Sequence, residues 1–387
     1  MFQPGQHRQP RPRVAALWLT ALMLLLAPAP ARLSRSPDPG RSSPNSADGI
    51  GQSLRAADLA VVVNGEDPLS EQIGAFYQRV RGLPASQVIR VRFPPGGASL
   101  DPQRFRQLRE QILRDTPPHV QAYAMAWTAP WRVDCQSITS ALTFGVDSGW
   151  CARGCRLSRT SPYFGRGDIQ RPWDELGIRP SMLLAGTDFA AVQQLILRGK
   201  AADGTAPPGT AYLLSTSDPS RNVRAALYEG AQQVLAPALA VKVQTTDRLE
   251  SARGVVALFT GLARVEGLSG LRFRPGAVAD HLTSFGGELT PEPTPSGQMS
   301  ALRWLEAGAT GSYGTVEEPC NFLAKFPSPG LFLSYYRRGD TLIEAYWRSV
   351  SMPGQGVFIG EPLARPWGPA LEAPAGGTPL HVRGWGS

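Results

Sequence analysis

Lysine is nearly missing from this chain of 387 residues. Lys200, Lys242 and Lys325 stand against 36 arginines, so the formal charge of +8 rests on arginine. These arginines do not gather into a basic block, and a skew of this kind follows codon bias more often than a polyanion site. Histidine is scarce as well, with His7, His119, His281 and His381. No H-x3-H or D-x-D-x-D spacing is present, which removes the common zinc and calcium frameworks. P-loop, dinucleotide-binding and nucleic-acid-binding signatures are also missing, so neither a cofactor nor a nucleic-acid partner is expected. Past residue 26 no apolar run approaches the ~20 residues a membrane helix needs. What the chain does have is 42% hydrophobic and 18% charged residues. At this length that suffices for one large core or two ordinary ones. Glycine and proline together make 41 + 36 = 77 residues, about a fifth, below the level at which a whole chain reads as disordered.

The N-terminus carries a targeting pattern. Arg8, Arg11 and Arg13 precede an uncharged run from Val14 to Leu26, and Ala29-Pro30-Ala31 follows. A basic start, a short apolar stretch and small residues predict a secretory signal peptide over residues 1–31, cleaved after Ala31. The run is too short to cross ~30 Å of hydrocarbon as an anchor. Removing its three arginines leaves 8 − 3 = +5 on the mature chain. Export in turn gives the four cysteines a role, because an oxidising compartment permits disulfides. Cys135, Cys151, Cys155 and Cys320 allow three pairings. Cys151 and Cys155 could close a tight loop and leave Cys135 with Cys320.

Residues 32–56 are Ser-, Pro- and Arg-rich without periodicity and read as a flexible linker. Leu59–Val63 is a β-branched run, followed by a helix over Glu71–Arg81 with Ile73, Phe76, Tyr77 and Val80 on one face. Ser70 is the expected N-cap, and Gly82 and Pro84 stop the helix. Strand-like runs recur at Val88–Phe93, Ala122–Trp127, Met182–Leu184, Ala211–Ser215, Ala240–Val243, Gly254–Phe259 and Ser312–Val316. Helical patterns lie between them at Gln103–Arg114, from Asp188 through Leu197, at Arg221–Leu235 and over 300–307. This β-α-β rhythm predicts an α/β fold: one mostly parallel sheet flanked by helices, spanning 57–365. A Cys/Gly-rich insertion interrupts it near 134–177, and 366–387 reads as a loose tail.

Open α/β sheets bind ligands beyond the carboxyl ends of their strands. Four such ends stand out: Asn64–Asp67, Thr128–Arg132, Thr260-Gly261 and Asp280–Glu288. In the last, His281 and Ser284 precede Gly286-Gly287, whose backbone N–H groups could approach a reacting oxygen. Ser215–Asp218 with Arg221, Asn222 and Arg224 also places polar groups at a strand end and helix start, where they could bind an anion, though ordinary capping accounts for them.

The segments Leu59–Asn64, Asp280–Gly287, Gly314–Pro319 and Gly360–Leu363 together resemble an uncharacterised bacterial secreted family. That family accompanies the exosortase system, which sorts exported proteins bearing a C-terminal anchor. The likeness covers nearly the whole mature chain and implies an association with sorting. More distantly, the layout from Ser284 through Trp304 to Val316 is similar to gingipain-like, caspase-fold cysteine peptidases. That likeness implies a three-layer architecture in which a His-Gly pair and a nucleophilic Cys end neighbouring strands. By position Thr260-Gly261 takes the His-Gly place and Ser284 the Cys place, so the chain departs from the pattern at both catalytic residues.

Three functions follow as expectations. The first is a non-catalytic, peptidase-like domain that binds an exported polypeptide or a sorting-system component. Its binding residues would be Asn64, Trp131, Arg132, Thr260, Gly261, Gly286 and Gly287, with Trp127 and Trp131 available for stacking. The second is a serine hydrolase, in which Ser284 needs His281 as base and Asp280 or Glu317 to orient it. The third is a metal site made by Asp280, His281 and one of Glu288, Glu317 or Glu318.

Overall fold

The run Leu59–Asn64 is buried along its whole length. Leu59, Val61 and Val63 enter one apolar cluster while Ala60 and Val62 enter another. A strand buried on both faces must lie inside a layered fold, and the computed structural model places it there. The structure describes residues 53–151 and 153–369. The signal peptide and nearly all of the expected linker lie outside the described residues, as does the end of the expected tail.

In chain order the elements begin with β1 (Leu59–Asn64), α1 (Pro68–Arg81), β2 (Val88–Val91), β3 (Ser99–Leu100), α2 (Pro102–Asp115) and β4 (Ala122–Met125). Strand β5 (Arg132–Val133) comes just before the segment read as an insertion, which holds β6 (Gln136–Ser137), α3 (Ile138–Phe144) and α4 (Pro172–Leu176), and β7 (Ser181–Leu183) follows. Next come α5 (Phe189–Ala202), β8 (Thr210–Ser215), α6 (Tyr228–Leu235), β9 (Ala240–Thr245), β10 (Ala252–Thr260) and β11 (Leu271–His281). The chain closes with α7 (Leu302–Glu306), β12 (Gly311–Thr315), α8 (Pro329–Arg337), α9 (Leu342–Ser349) and β13 (Gly356–Gly360).

Among the described residues ten strands form one sheet, in the order β2-β1-β4-β7-β13-β12-β11-β10-β8-β9. Helices cover both faces, which makes the α/β fold three-layered. Ile73 and Tyr77 of α1, Val192 and Ile196 of α5, and α6, α8 and α9 pack on one face. Phe105, Leu108 and Ile112 of α2, Ile138 and Leu142 of α3, and Leu302 and Leu305 of α7 pack on the other. Strands β3, β5 and β6 form a separate small sheet.

Direction divides the large sheet. Strands β2, β1, β4, β7 and β13 are mutually parallel. So are β12, β11, β10, β8 and β9. The halves meet antiparallel at β12 and β13, where Ser312 sits opposite Ile359. The carboxyl ends of the two sets therefore lie at opposite edges. Asn64, at the end of β1, cannot share a site with Thr260 and His281, at the ends of β10 and β11.

Local chemistry explains where the elements begin. The N-cap of α1 is Asp67, whose Oδ1 accepts from Leu69 N at 2.9 Å, with Pro68 as the first helical residue. Ser70, the expected cap, instead accepts from Asn64 N at 2.8 Å and so ties helix to strand. A β-carbon on Gly74 would meet Val63 at 2.1 Å, so only glycine lets α1 pack this closely. The ends of the body extend past the expected boundaries. Leu54 is buried and bonds Glu344, and Trp367 packs edge-on against Tyr336. None of the described helices is long and apolar enough to cross a membrane.

Candidate functional site

The second half of the sheet ends at a groove of about 600 Å3. Its walls come from the turn after β8 (Ser220, Arg221), the segment after β11 (Leu282–Ser284) and the loop after β12 (Glu318–Phe322). Ser284 is half-buried in it. Polar bonds build the floor. Asp218 accepts from the N–H groups of Ser220 and Arg221 at 3.0 and 3.1 Å, and Asn222 accepts from Thr216 N at 2.8 Å. Asp218 and Asn222 thus do the capping that their spacing suggests. The Arg221 guanidinium pairs with Asp218 at 2.7 Å and donates through Nε to Thr283 Oγ1 at 3.0 Å. Across the groove, Glu318 accepts from Cys320 N at 2.8 Å.

Two disulfides are present, Cys135–Cys151 and Cys155–Cys320. The tight Cys151–Cys155 loop is therefore corrected. Cys135 sits in the hairpin turn between β5 and β6, where it meets Cys151, while Cys155 reaches the loop after β12. Asp134, Cys135 and Cys151 bring potential ligand atoms together, but both sulfurs are spent in that disulfide.

His281 and Asp280 point to opposite faces of β11, as neighbours in a strand must. His281 is 2% exposed. The indole N–H of Trp304 donates to its Nδ1 at 2.9 Å, which leaves the ring proton on Nε2 to donate to the Met299 carbonyl at 3.0 Å. Both nitrogens are occupied, and burial lowers the imidazole to about 4. No lone pair remains for Ser284, so the expected serine–histidine pairing is not assembled. Asp280 lies on the other face in a buried ion pair, its Oδ1 2.5 Å from Arg224 Nη1, with both side chains 1% exposed. Burial pushes its carboxyl up to about 6 against the pull of Arg224. It neither orients His281 nor joins it around a metal. Glu288, Glu317 and Glu318 do not join them either: among the described residues no cluster of potential metal ligands includes Asp280 or His281, and Glu288 accepts from Ser296 N at 3.0 Å.

The expected binding residues separate in the same way. Thr260 is fully buried, and among the described residues its hydroxyl has no partner. Its carbonyl accepts from Arg224 at 2.7 Å. A β-carbon on Gly261 would strike the Arg221 carbonyl at 1.9 Å, so this glycine serves close packing beneath the groove. Gly286 and Gly287 press against Gly314, and the Gly287 N–H is taken by the Thr315 carbonyl at 2.9 Å, away from any oxyanion. Asn64 bonds Phe93 N and O at 3.2 and 2.8 Å and Glu66 N at 3.1 Å, which closes the opposite edge. Trp131 is buried in the core, and Arg132 belongs to the small sheet. Of the expected site residues, only Ser284 and Cys155–Cys320 line the groove. Arg221 and Glu318 join them, having looked in sequence like a cap and an alternative metal ligand. Neither a protein-family model nor a curated protein matches the chain.

Proposed function

We propose that this chain is an exported, non-catalytic polypeptide-binding domain with a peptidase-like layout, acting with an exosortase-type sorting system. One observation carries the non-catalytic part. Ser284 reaches an open groove, while the histidine nearest in sequence is sealed by Trp304 and Met299. A serine hydroxyl without a base is a poor nucleophile at neutral pH. The groove's chemistry suits an extended peptide: Arg221, Ser220 and Asn321 offer donors to main-chain carbonyls, Glu318 offers an acceptor, and Phe322 adds an apolar contact. Two disulfides suit residence in an oxidising compartment.

The test uses the mature chain and a fluorescent synthetic peptide from the C-terminal anchor region of an exported protein. Anisotropy should report binding that survives Ser284→Ala and weakens at least ten-fold in Arg221→Glu. A fluorophosphonate probe should leave the protein unlabelled. Labelling that vanishes in Ser284→Ala would replace this reading with a serine hydrolase.

A further inference from the structure

Five non-glycine residues among those described adopt left-handed backbone, and three line the groove: Cys155 at φ 63°, Cys320 at φ 54° and Asn321 at φ 49°. Side chains with a β-carbon rarely adopt this region, and such residues collect where a conformation is held for function. Here the holding bond is visible. Cys155 and Cys320 form the disulfide that joins segments 165 residues apart and makes one wall of the groove.

The two disulfides differ in access. Cys135 is 2% exposed in its hairpin turn and Cys151 half-buried, so neither sulfur of that bond belongs to an exposed residue. Cys155 is solvent-exposed and Cys320 half-buried. The Glu318 carboxylate accepts from the Cys320 backbone N–H at 2.8 Å and repels a thiolate approaching that end of the bond, so the exposed Cys155 is the end open to attack.

We propose that Cys155–Cys320 is a thiol–disulfide exchange site whose reduction, in the folded protein, releases the loop at 317–322 and reshapes the groove. The partner is a dithiol. Its thiolate bonds to Cys155 Sγ, the Cys155–Cys320 bond breaks, and Cys320 Sγ leaves with the electron pair and takes a proton from water. The partner's second thiol then displaces Cys155 Sγ, so the protein gains two electrons and the dithiol becomes a disulfide. Once free, Cys320 and Asn321 can leave the left-handed region. The exchange goes beyond the polypeptide-binding reading and needs no ligand; only the consequence for binding rests on it.

The experiment reduces the native protein with graded dithiothreitol, traps thiols with iodoacetamide and maps them by peptide mass spectrometry, with amide hydrogen exchange in parallel. Cys155 and Cys320 should be alkylated at least ten-fold faster than Cys135 and Cys151. Exchange should rise in 317–322 while β10 and β11 stay protected. Equal rates, earlier opening of Cys135–Cys151, or opening only with global unfolding overturns the proposal. The double variant Cys155→Ser, Cys320→Ser should fold and reproduce the raised exchange in 317–322. A variant that does not fold, or one with unchanged exchange there, counts against it. Selective reduction in a protein that binds no peptide removes the polypeptide reading and leaves the exchange site standing.

Discussion

The two halves of the sheet finish their strands differently. At the β1 edge, Asn64 spends its amide on Phe93 and Glu66, and the backbone closes over itself. At the β11 edge, Ser284, Arg221 and Glu318 face a groove beside a disulfide in left-handed backbone. Both halves bury their strands beneath helices, so strand ends alone do not make a site. What differs is access: Arg221 and Glu318, though bonded to Asp218 and to Cys320 N, still line an open groove at the β11 edge. Beneath that edge the Arg224–Asp280 pair lies on one face of β11 and His281 on the other.

The largest effect should come from breaking the ion pair. Arg224→Met leaves the Asp280 carboxylate buried without its partner and should cost about 3–5 kcal/mol in urea unfolding. Adding Asp280→Leu should recover most of that loss, because two apolar side chains leave no uncompensated charge. A single variant as stable as the parent would show that Asp280 is already neutral in the folded protein. The pair would then not anchor the groove.

The two faces of β11 should respond to pH with opposite sign. The folded pKa of His281 is about 4, below the ordinary 6.5, so its neutral ring contributes stability that is complete above pH 6.5 and lost as pH falls through 4. That of Asp280 is about 6, above the ordinary 3.8, so its contribution is complete below pH 3.8 and lost as pH rises through 6. Between pH 4 and 6 the slopes oppose. In His281→Gln only the carboxyl slope remains. Parent-minus-variant stability should fall by about 3 kcal/mol from pH 6.5 to pH 4, measured by unfolding across a buffer series. A flat difference would mean that Trp304 and Met299 do not seal the ring.

Much of this was legible locally. The alternating β and α runs give the layered sheet, and Asp188 caps α5 as its position suggests, accepting from Ala191 N at 2.8 Å. Elements without a one-sided pattern were not. Strand β11 opens with an alternating Leu271–Arg274 that Pro275 and Gly276 then interrupt. Helix α9 is buried all round, so its polar face, Glu344 and Arg348, marks no solvent side. Strand β13 reverses the direction of the sheet, and direction leaves no trace in periodicity. The same limit hid the site: Trp304 lies 23 residues from His281 in sequence, and Cys155 lies 165 from Cys320. No local spacing could show that the histidine was sealed or that the disulfide formed the wall.

The closed edge offers a smaller effect. Asn64→Ala removes three hydrogen bonds, leaves Phe93 N and O unpaired and should cost about 1–3 kcal/mol. Peptide affinity at the groove should stay within two-fold, since the groove lies at the other edge. A joint loss of stability and binding would mean that the two edges are coupled through the sheet and that their separation by strand direction does not govern function.

The smallest effect belongs to Ser284, although its position draws most attention in the sequence. Its carbonyl is held by Thr315 Oγ1 at 2.8 Å, and among the described residues its hydroxyl makes no hydrogen bond. Ser284→Ala keeps the carbonyl contact and removes only an oxygen facing the groove, so stability should change by no more than about 0.5 kcal/mol. If the groove binds through Arg221 and Glu318, affinity should hardly move either. A stabilised variant with lower affinity would point to a hydroxyl held in readiness for a ligand. An unchanged variant beside a weakened Arg221→Glu places recognition in the charged walls, with the serine only a polar patch between them.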